Sequence, residues 1–182
     1  VFILMFSSCK ELYPITKTAE GYTFEIDENQ NATLIKTDIL AETIEIPSEI
    51  SSYKVKKLSC VEEAALVGVS LTGVFEGNNV VKEIIIPEGV VETYGPAIAN
   101  CYNLEKITIP GTMTTFDVVR CDNLKEVNIV DGDTITESFS FSDCSGLEEI
   151  YLPKQINKIS TNAFARCYSL KNAVSYTHLT LP

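Results

Sequence analysis

Residues Cys101–Pro110 read CYNLEKITIP, and close copies of this stretch recur along the chain. Cys121–Val130 reads CDNLKEVNIV, Cys144–Pro153 reads CSGLEEIYLP, and Cys167–Leu170 begins a further copy. An earlier copy, Asn78–Pro87, has Asn in place of Cys, and the five copies start 23, 20, 23 and 23 residues apart. Such a period predicts a solenoid, because one unit this small cannot bury its apolar side alone and must stack on its neighbours.

The aliphatic-x-aliphatic blocks alternate with a period of two, which predicts short strands with one face turned inward. A proline ends most of these strands, where a missing N–H is tolerated. The expected fold is mostly β, a right-handed solenoid of short parallel strands with little helix. The predicted inward residues are Ile44, Ile46, Ile84, Ile86, Ile107, Ile109, Val127, Ile129, Ile150 and Leu152.

A second set of apolar pairs, three residues apart, is expected to form the opposite wall of the coil. These pairs are Val55 and Leu58, Val91 and Tyr94, Met113 and Phe116, and Ile156 and Ile159. A small-then-large pair begins four residues before the first residue of most of the copies. Its copies are Val74-Phe75, Ala97-Ile98, Ser140-Phe141 and Ala163-Phe164.

The N-terminal part of the repeat region differs from the rest. Residues 21–26 and 32–35 alternate and flank a turn-rich link, which predicts a capping β-hairpin. Ser59–Glu62 is a capping-box pattern that precedes residues 63–67, so a short helix is expected there. Two compressed turns are the alternative, and the register of residues 60–75 stays open.

Both ends of the chain differ from the repeats. Residues 1–9 consist of an apolar run followed by two serines and Cys9. This pattern resembles a truncated bacterial lipoprotein signal with Cys9 as the lipidated residue. A buried N-terminal strand is the alternative. Residues 10–19 are expected to be a linker and residues 20–172 the repeat domain. Residues 173–182 resemble translated sequencing adaptor from metagenomic gene fragments, so a non-native or disordered tail is expected; a degenerate last repeat is the alternative.

The recurring cysteines predict a structural ladder. Asn78, Cys101, Cys121, Cys144 and Cys167 occupy one repeat position, and buried thiols or an amide there can cap backbone groups of the loop. No C-x-x-C pair exists, and parallel in-register side chains do not point at each other, so neither a metal site nor disulfides are expected. Residues 131–133, Asp-Gly-Asp, could touch a cation but are interpreted as a turn.

The composition excludes several functions. The only histidine is His178, in the unusual tail, so the repeat region cannot build a Ser-His-Asp or Cys-His nucleophile. Neither nucleotide-binding glycine motif is present, and no cofactor is expected. A net charge of −11 argues against nucleic acid and anionic membranes as partners. No apolar run reaches 18 residues, so any membrane attachment is expected through the lipid at Cys9.

Two rows of outward strand residues form a candidate binding face. The first row is Thr43, Glu83, Lys106, Glu126 and Glu149. The second row is Glu45, Ile85, Thr108, Asn128 and Tyr151. One interpretation is an ordinary solvated face; the other is a mainly acidic strip in which Ile85 and Tyr151 are exposed anchors.

The aliphatic-x-aliphatic-Pro blocks, residues 163–167 (AFARC) and the opening hairpin resemble the BspA-type leucine-rich repeats of bacterial surface proteins. The resemblance implies a secreted or cell-surface protein, here an outer-membrane lipoprotein. It also implies a non-enzymatic, monomeric module that binds a protein or glycan partner on a host or neighbouring cell. The competing hypothesis is a structural spacer or stalk that displays a further domain. A third, enzymatic hypothesis would need a catalytic domain beyond residue 172.

Overall fold

A computed structural model describes residues 14–65 and 68–175, which contain no helix. Cys9, residues 1–13 and residues 176–182, including His178, lie outside the described residues. The strands are β1 Ile15–Ala19, β2 Tyr22–Ile26, β3 Asn31–Thr37, β4 Thr43–Glu45, β5 Glu49–Ile50, β6 Tyr53–Ser59, β7 Val61–Ala65, β8 Gly68–Thr72, β9 Glu83–Ile85, β10 Glu92–Tyr94, β11 Ile98–Ala99, β12 Lys106–Ile109, β13 Thr115–Val119, β14 Glu126–Ile129, β15 Ser138–Ser140, β16 Glu149–Leu152 and β17 Asn172–Ser175.

Two stacked walls form the coil. The first, here called the repeat sheet, has the order β14-β12-β9-β4, and all its neighbours are parallel. The second, here called the long sheet, begins with the antiparallel strands β1-β2-β3 and continues through β6, β10 and β13. The predicted solenoid of short parallel strands with an N-terminal hairpin is therefore confirmed.

The core lies between the two walls. All ten predicted inward residues of the repeat strands are buried except Ile129, which is partly buried. Four phenylalanines stack along the opposite side: Phe139 lies 5.6 Å from Phe116, 6.2 Å from Phe141 and 5.7 Å from Phe164, measured between ring centroids. Each turn thus contributes side chains to one continuous core, as expected for units that cannot fold singly.

Two of the predicted wall pairs are wrong. Tyr94 is 70% exposed. The buried pair is instead Val90 and Thr93, which come one residue before the predicted Val91 and Tyr94. Thr93 lies beside Leu58 on β6, and its Oγ1 accepts a hydrogen bond of 2.9 Å from the backbone N–H of Asp117. This hydrogen bond satisfies the buried hydroxyl, so a polar residue can occupy the inward position. Ile159 is 50% exposed, since only an isolated bridge between Thr136 and Ile156 continues the wall there.

The expected helix after Ser59 is also wrong. Residues 61–65 and 68–72 form an antiparallel hairpin, β7–β8, in register from Val61–Thr72 to Ala65–Gly68. The hydroxyl of Ser59 donates to the carbonyl of Cys60 at 3.0 Å, so it does not cap a helix. The N–H of Cys60 donates to Tyr94 at 3.1 Å, which holds this backbone in the wall of the coil.

The C-terminal strand β17 pairs in parallel with β16, from Glu149–Asn172 to Leu152–Ser175. Ala173 is exposed and Val174 is partly buried. This pairing is what the degenerate-repeat alternative expects of residues 173–175. The non-native origin of residues 173–182 stays a prediction, because pairing does not reveal where a sequence comes from.

Candidate interaction face

The outer side of the repeat sheet brings the two predicted rows together. In-register pairing places Thr43, Glu83, Lys106 and Glu126 side by side, with Glu45, Ile85, Thr108 and Asn128 two residues further along. Tyr151 is 45% exposed on β16, with Glu149 beside it. Ile85 is only partly exposed, because Glu45 and Thr108 flank it on the adjacent strands. Tyr151 is therefore the more accessible of the two expected anchors.

A third row lies immediately before these strands, and its charges alternate in sign. Its residues, from the first turn to the last, are Glu42, Lys82, Glu105, Lys125, Glu148 and Lys171. Lys82 Nζ lies 2.8 Å from Glu42 Oε1, and Lys171 Nζ lies 2.8 Å from Glu148 Oε2. The hydrogen bond with Glu42 raises the pKa of Lys82, and the one with Lys171 lowers the pKa of Glu148. This side of the coil is therefore less acidic than the two predicted rows alone suggested.

Lys106 links two carboxylates across three neighbouring strands. Its Nζ lies 3.0 Å from Glu126 Oε1 and 3.6 Å from Glu83 Oε1. The hydrogen bond with Glu126 is the main cause of the raised pKa of Lys106, and Glu83 adds to it. Opposite charges directly across strands stabilise a sheet and like charges destabilise it. Lys106 lies between Glu83 and Glu126, and its positive charge offsets the repulsion between the two carboxylates.

The repeat sheet is interrupted after β14. Within the described residues, β14 and β16 lie side by side without a shared hydrogen-bonded register, and β16 pairs only with β17. A groove of about 410 Å³ lies at this interruption. It is lined by Val127, Asn128, Ile129, Val130, Asp131, Tyr151 and Leu152. Val127 and Leu152 belong to the buried core, whereas Val130 and Tyr151 are exposed. Sequence reasoning did not find this groove.

The ladder residues lie at one edge of the coil, and all five are buried. Asn78 donates through Nδ2 to Ile39 at 2.9 Å and accepts from the N–H groups of Val80 and Val81. Cys101 Sγ contacts the carbonyl of Phe75 in the preceding turn at 3.7 Å, and Cys167 Sγ contacts that of Phe141 at 2.8 Å. Cys101, Cys144 and Cys167 thus donate to the preceding turn, the backbone-capping role that Asn78 performs through its amide. Cys121 instead donates to the carbonyl of Val119 in its own turn, at 3.7 Å.

The ladder thiols are free and chemically protected. Cys60 and the four ladder cysteines form no disulfide. Interaction with Cys101 is the main cause of a raised pKa at Cys121, interaction with Cys121 raises that of Cys144, and burial raises that of Cys167 to about 11. Because the thiolate is the nucleophile and the metal ligand, the raised pKa values lower the reactivity of Cys121, Cys144 and Cys167 at neutral pH.

The described residues offer no grouping of three or more metal-binding side chains. Asp131 forms an ion pair with Lys154, and both Asp131 and Asp133 are exposed, as the turn interpretation expects. No helix in residues 14–65 and 68–175 is long and apolar enough to cross a bilayer.

Comparison with known proteins identifies the repeat. Six copies of the BspA type leucine-rich repeat region match the chain, over residues 41–118 and 71–171. No curated protein matches the chain in sequence.

Solved structures share the fold at low sequence identity. A leucine-rich repeat protein of T. pallidum aligns with 18% identity and a TM-score of 0.70, covering 87% of this chain and 71% of that protein. One from Bacteroides capillosus has 19% identity and a TM-score of 0.54, covering 88% of this chain and 97% of that protein. A leucine-rich cell surface protein of Faecalibacterium prausnitzii has 22% identity and a TM-score of 0.51, covering 91% of this chain and 55% of that protein. Because the matched repeats extend over residues 41–171, the chain belongs to the BspA type leucine-rich repeat family.

Proposed function

We propose that this chain is a non-enzymatic module at a bacterial cell surface, which binds a protein or glycan partner through the repeat sheet. Membership of the family supports a protein-interaction or adhesion role. The similar F. prausnitzii protein is described as a cell surface protein, which supports the location. A solenoid sheet suits this role, because stacked repeats present an extended surface instead of a closed pocket.

The groove beside Tyr151 is the observation that carries the proposal. Elsewhere on the repeat sheet, strands pair directly and their outward side chains contact one another across the rungs. At β14 and β16 the half-exposed ring of Tyr151 instead borders a surface groove that Asn128, Val130 and Asp131 also line. A half-exposed tyrosine beside a surface groove is typical of the residues that dominate binding energy at protein interfaces.

The spacer hypothesis also has a specific observation in its favour. The row from Glu42 to Lys171 pairs its own charges from turn to turn, through contacts such as Lys82–Glu42 and Lys171–Glu148. A surface whose charges neutralise one another needs no partner to satisfy them. A stalk would use this row to keep successive turns in register, with the functional contacts made by another domain.

Attachment through a lipid at Cys9 belongs to the same proposal. A single acyl chain holds a protein only marginally, so stable attachment requires the several chains of a bacterial lipoprotein. Expression of the intact gene with Cys9→Ala should move the protein from the membrane fraction to the soluble fraction. A variant that stays in the membrane fraction would exclude Cys9 as the anchor.

A binding screen separates the module from the spacer. Purified chain would be passed over immobilised extracellular-matrix proteins and surface glycans, with binding followed by surface plasmon resonance. The proposal expects saturable binding to at least one of them. Absence of saturable binding across the panel would favour the spacer.

A further inference from the structure

A second groove, here called the edge groove, lies where Leu71 of β8 meets the ends of β11 and β13. Its volume is about 460 Å³, and Arg120 and Asn100 line it together with the apolar side chains of Leu71, Pro96 and Val119. Leu71 is 45% exposed, and Pro96 and Val119 are partly exposed. A groove of this volume can hold a short segment of another molecule.

Arg120 belongs to a column of residues that each come immediately before a ladder cysteine. The column consists of Asn100, Arg120, Asp143 and Arg166, all with a left-handed backbone, at φ values of 56°, 55°, 60° and 60°. Because the repeat position and the backbone conformation are the same, these side chains leave the coil in the same direction. Neighbouring turns can therefore pair through this column.

Two such pairs are formed, and each joins a side chain to the preceding turn. Asn100 Nδ2 donates to the two carboxylate oxygens of Glu76, at 2.8 and 3.0 Å. Arg166 donates to both carboxylate oxygens of Asp143, through Nε and through Nη2, the latter at 2.8 Å. An arginine in this column thus holds a carboxylate with two parallel hydrogen bonds.

Arg120 lacks the partner that Arg166 has. The preceding turn offers it the neutral amide of Asn100, which Glu76 already engages. Asp143 lies in the following turn, but its hydrogen bonds with Arg166 are the main cause of its lowered pKa, and Arg120 adds only a weaker attraction. Among the described residues, the exposed Arg120 forms no ion pair. An unpaired guanidinium therefore borders the edge groove.

We propose that the edge groove binds an acidic segment of a partner protein, in which an aspartate or glutamate carboxylate pairs with Arg120 and an adjacent apolar side chain contacts Leu71 and Val119. The Arg166–Asp143 pair supports this occupant, because it shows the same contact at the same repeat position. The planar fork of donors on arginine matches a carboxylate. The site lies away from the repeat sheet, so it does not depend on the proposed function.

Glu76 supplies a test of the sign of the ligand charge. Its carboxylate also lines the edge groove, so it repels an acidic ligand. Glu76→Gln removes the charge and keeps an oxygen that can accept from Asn100. This variant should bind an acidic peptide about twofold more tightly, because one repulsive charge is removed. Weaker binding of the acidic peptide by Glu76→Gln would contradict the proposal.

The binding test uses the full chain, the peptide acetyl-Leu-Asp-Leu-amide and its matched control acetyl-Leu-Asn-Leu-amide, which lacks only the charge. Amide shifts of the ¹⁵N-labelled protein are expected to change at residues 96–100 and 119–121. The asparagine peptide should bind about fivefold more weakly, the effect of losing one exposed ion pair. Arg120→Asn should weaken the aspartate peptide by the same factor and leave the asparagine peptide within about twofold. Asparagine suits this position, because Asn100 has the same backbone conformation.

Lys158→Gln and Tyr151→Ala are the controls. Lys158 is exposed and forms no ion pair within the described part of the chain, so its loss changes the net charge as Arg120→Asn does. Tyr151→Ala alters the repeat sheet alone. Neither control should change the affinity for the aspartate peptide.

Four results would overturn the proposal: equal binding of the two peptides, unchanged affinity in Arg120→Asn, shift changes elsewhere, or no binding at millimolar peptide. Tighter binding of glucuronate than of the aspartate peptide would reassign the edge groove to an acidic glycan. Concentration-dependent dimerisation that Arg120→Asn abolishes would reassign it to a second copy of the chain.

Discussion

Phe139→Ala is expected to lower the free energy of unfolding by about 3–5 kcal/mol, the usual cost of removing a fully buried phenylalanine. Phe139 is fully buried and contacts Phe116, Phe141 and Phe164, which come from three successive turns. Its truncation leaves a cavity that the strands cannot close, because they are hydrogen-bonded to turns on both sides. Chemical denaturation followed by circular dichroism measures the change.

Tyr168→Ala is the matched control for this substitution. It removes an aromatic ring that is 81% exposed, so the expected change is within about 0.5 kcal/mol. A loss below about 1 kcal/mol for Phe139→Ala would contradict the shared aromatic core.

Native thiol labelling is expected to be at least about a thousandfold slower than labelling in denaturant, because the ladder cysteines react only when the coil opens and typical domain stabilities exceed 5 kcal/mol. Cys101, Cys121 and Cys144 are fully buried and Cys167 is nearly so. The pKa values of Cys121, Cys144 and Cys167 are also raised, that of Cys167 to about 11 by burial. A Cys9→Ala background restricts labelling to residues of the repeat domain.

Tyr168→Cys is the internal reference for accessibility, since it places a thiol next to Cys167 at an exposed position. This thiol should react rapidly in the native protein. Rapid native reaction at two or more of the four ladder cysteines would show that the register of the coil is wrong.

Most of the fold could be predicted from the sequence, because one pattern is repeated and the stacking of repeats leaves little choice. Ile107 and Ile109 are inward because the strand period is two, and the same argument applies to each copy. The prediction that Val91 and Tyr94 face inward was wrong, because it chose the more hydrophobic tyrosine over the smaller Thr93. Position relative to the proline would have been the better guide, since Val90 and Thr93 occupy the same places after Pro87 as Met113 and Phe116 do after Pro110.

The hairpin at residues 61–72 was missed because Ser59 and Glu62 match a capping box by type and spacing alone. In the fold, the adjacent Cys60 is already committed to a hydrogen bond with Tyr94. The hydrogen bond between Cys60 and Tyr94, which lie far apart in the chain, therefore outweighed the local helix-capping pattern.

The alternating row was visible in the sequence. Lys82, Glu105, Lys125, Glu148 and Lys171 each come four residues after a ladder position. The interruption between β14 and β16 was not visible, because it depends on how neighbouring turns stack. Two residues are associated with it: Glu149, which repeats the charge of Glu126, and Val130, which stands where the other copies have proline.

The binding of wild type and Tyr151→Ala to a partner found in the matrix screen tests most directly whether the repeat sheet is the functional surface. Tyr151 is half-exposed at the groove, so its loss should leave the thermal midpoint almost unchanged while removing an interface anchor. Surface plasmon resonance should show at least about 30-fold weaker binding, the effect of truncating a true anchor. Tyr168→Ala, which removes an exposed ring away from the groove, should bind as wild type does. Equal affinity of wild type and Tyr151→Ala would contradict the assignment of the repeat sheet as the binding surface.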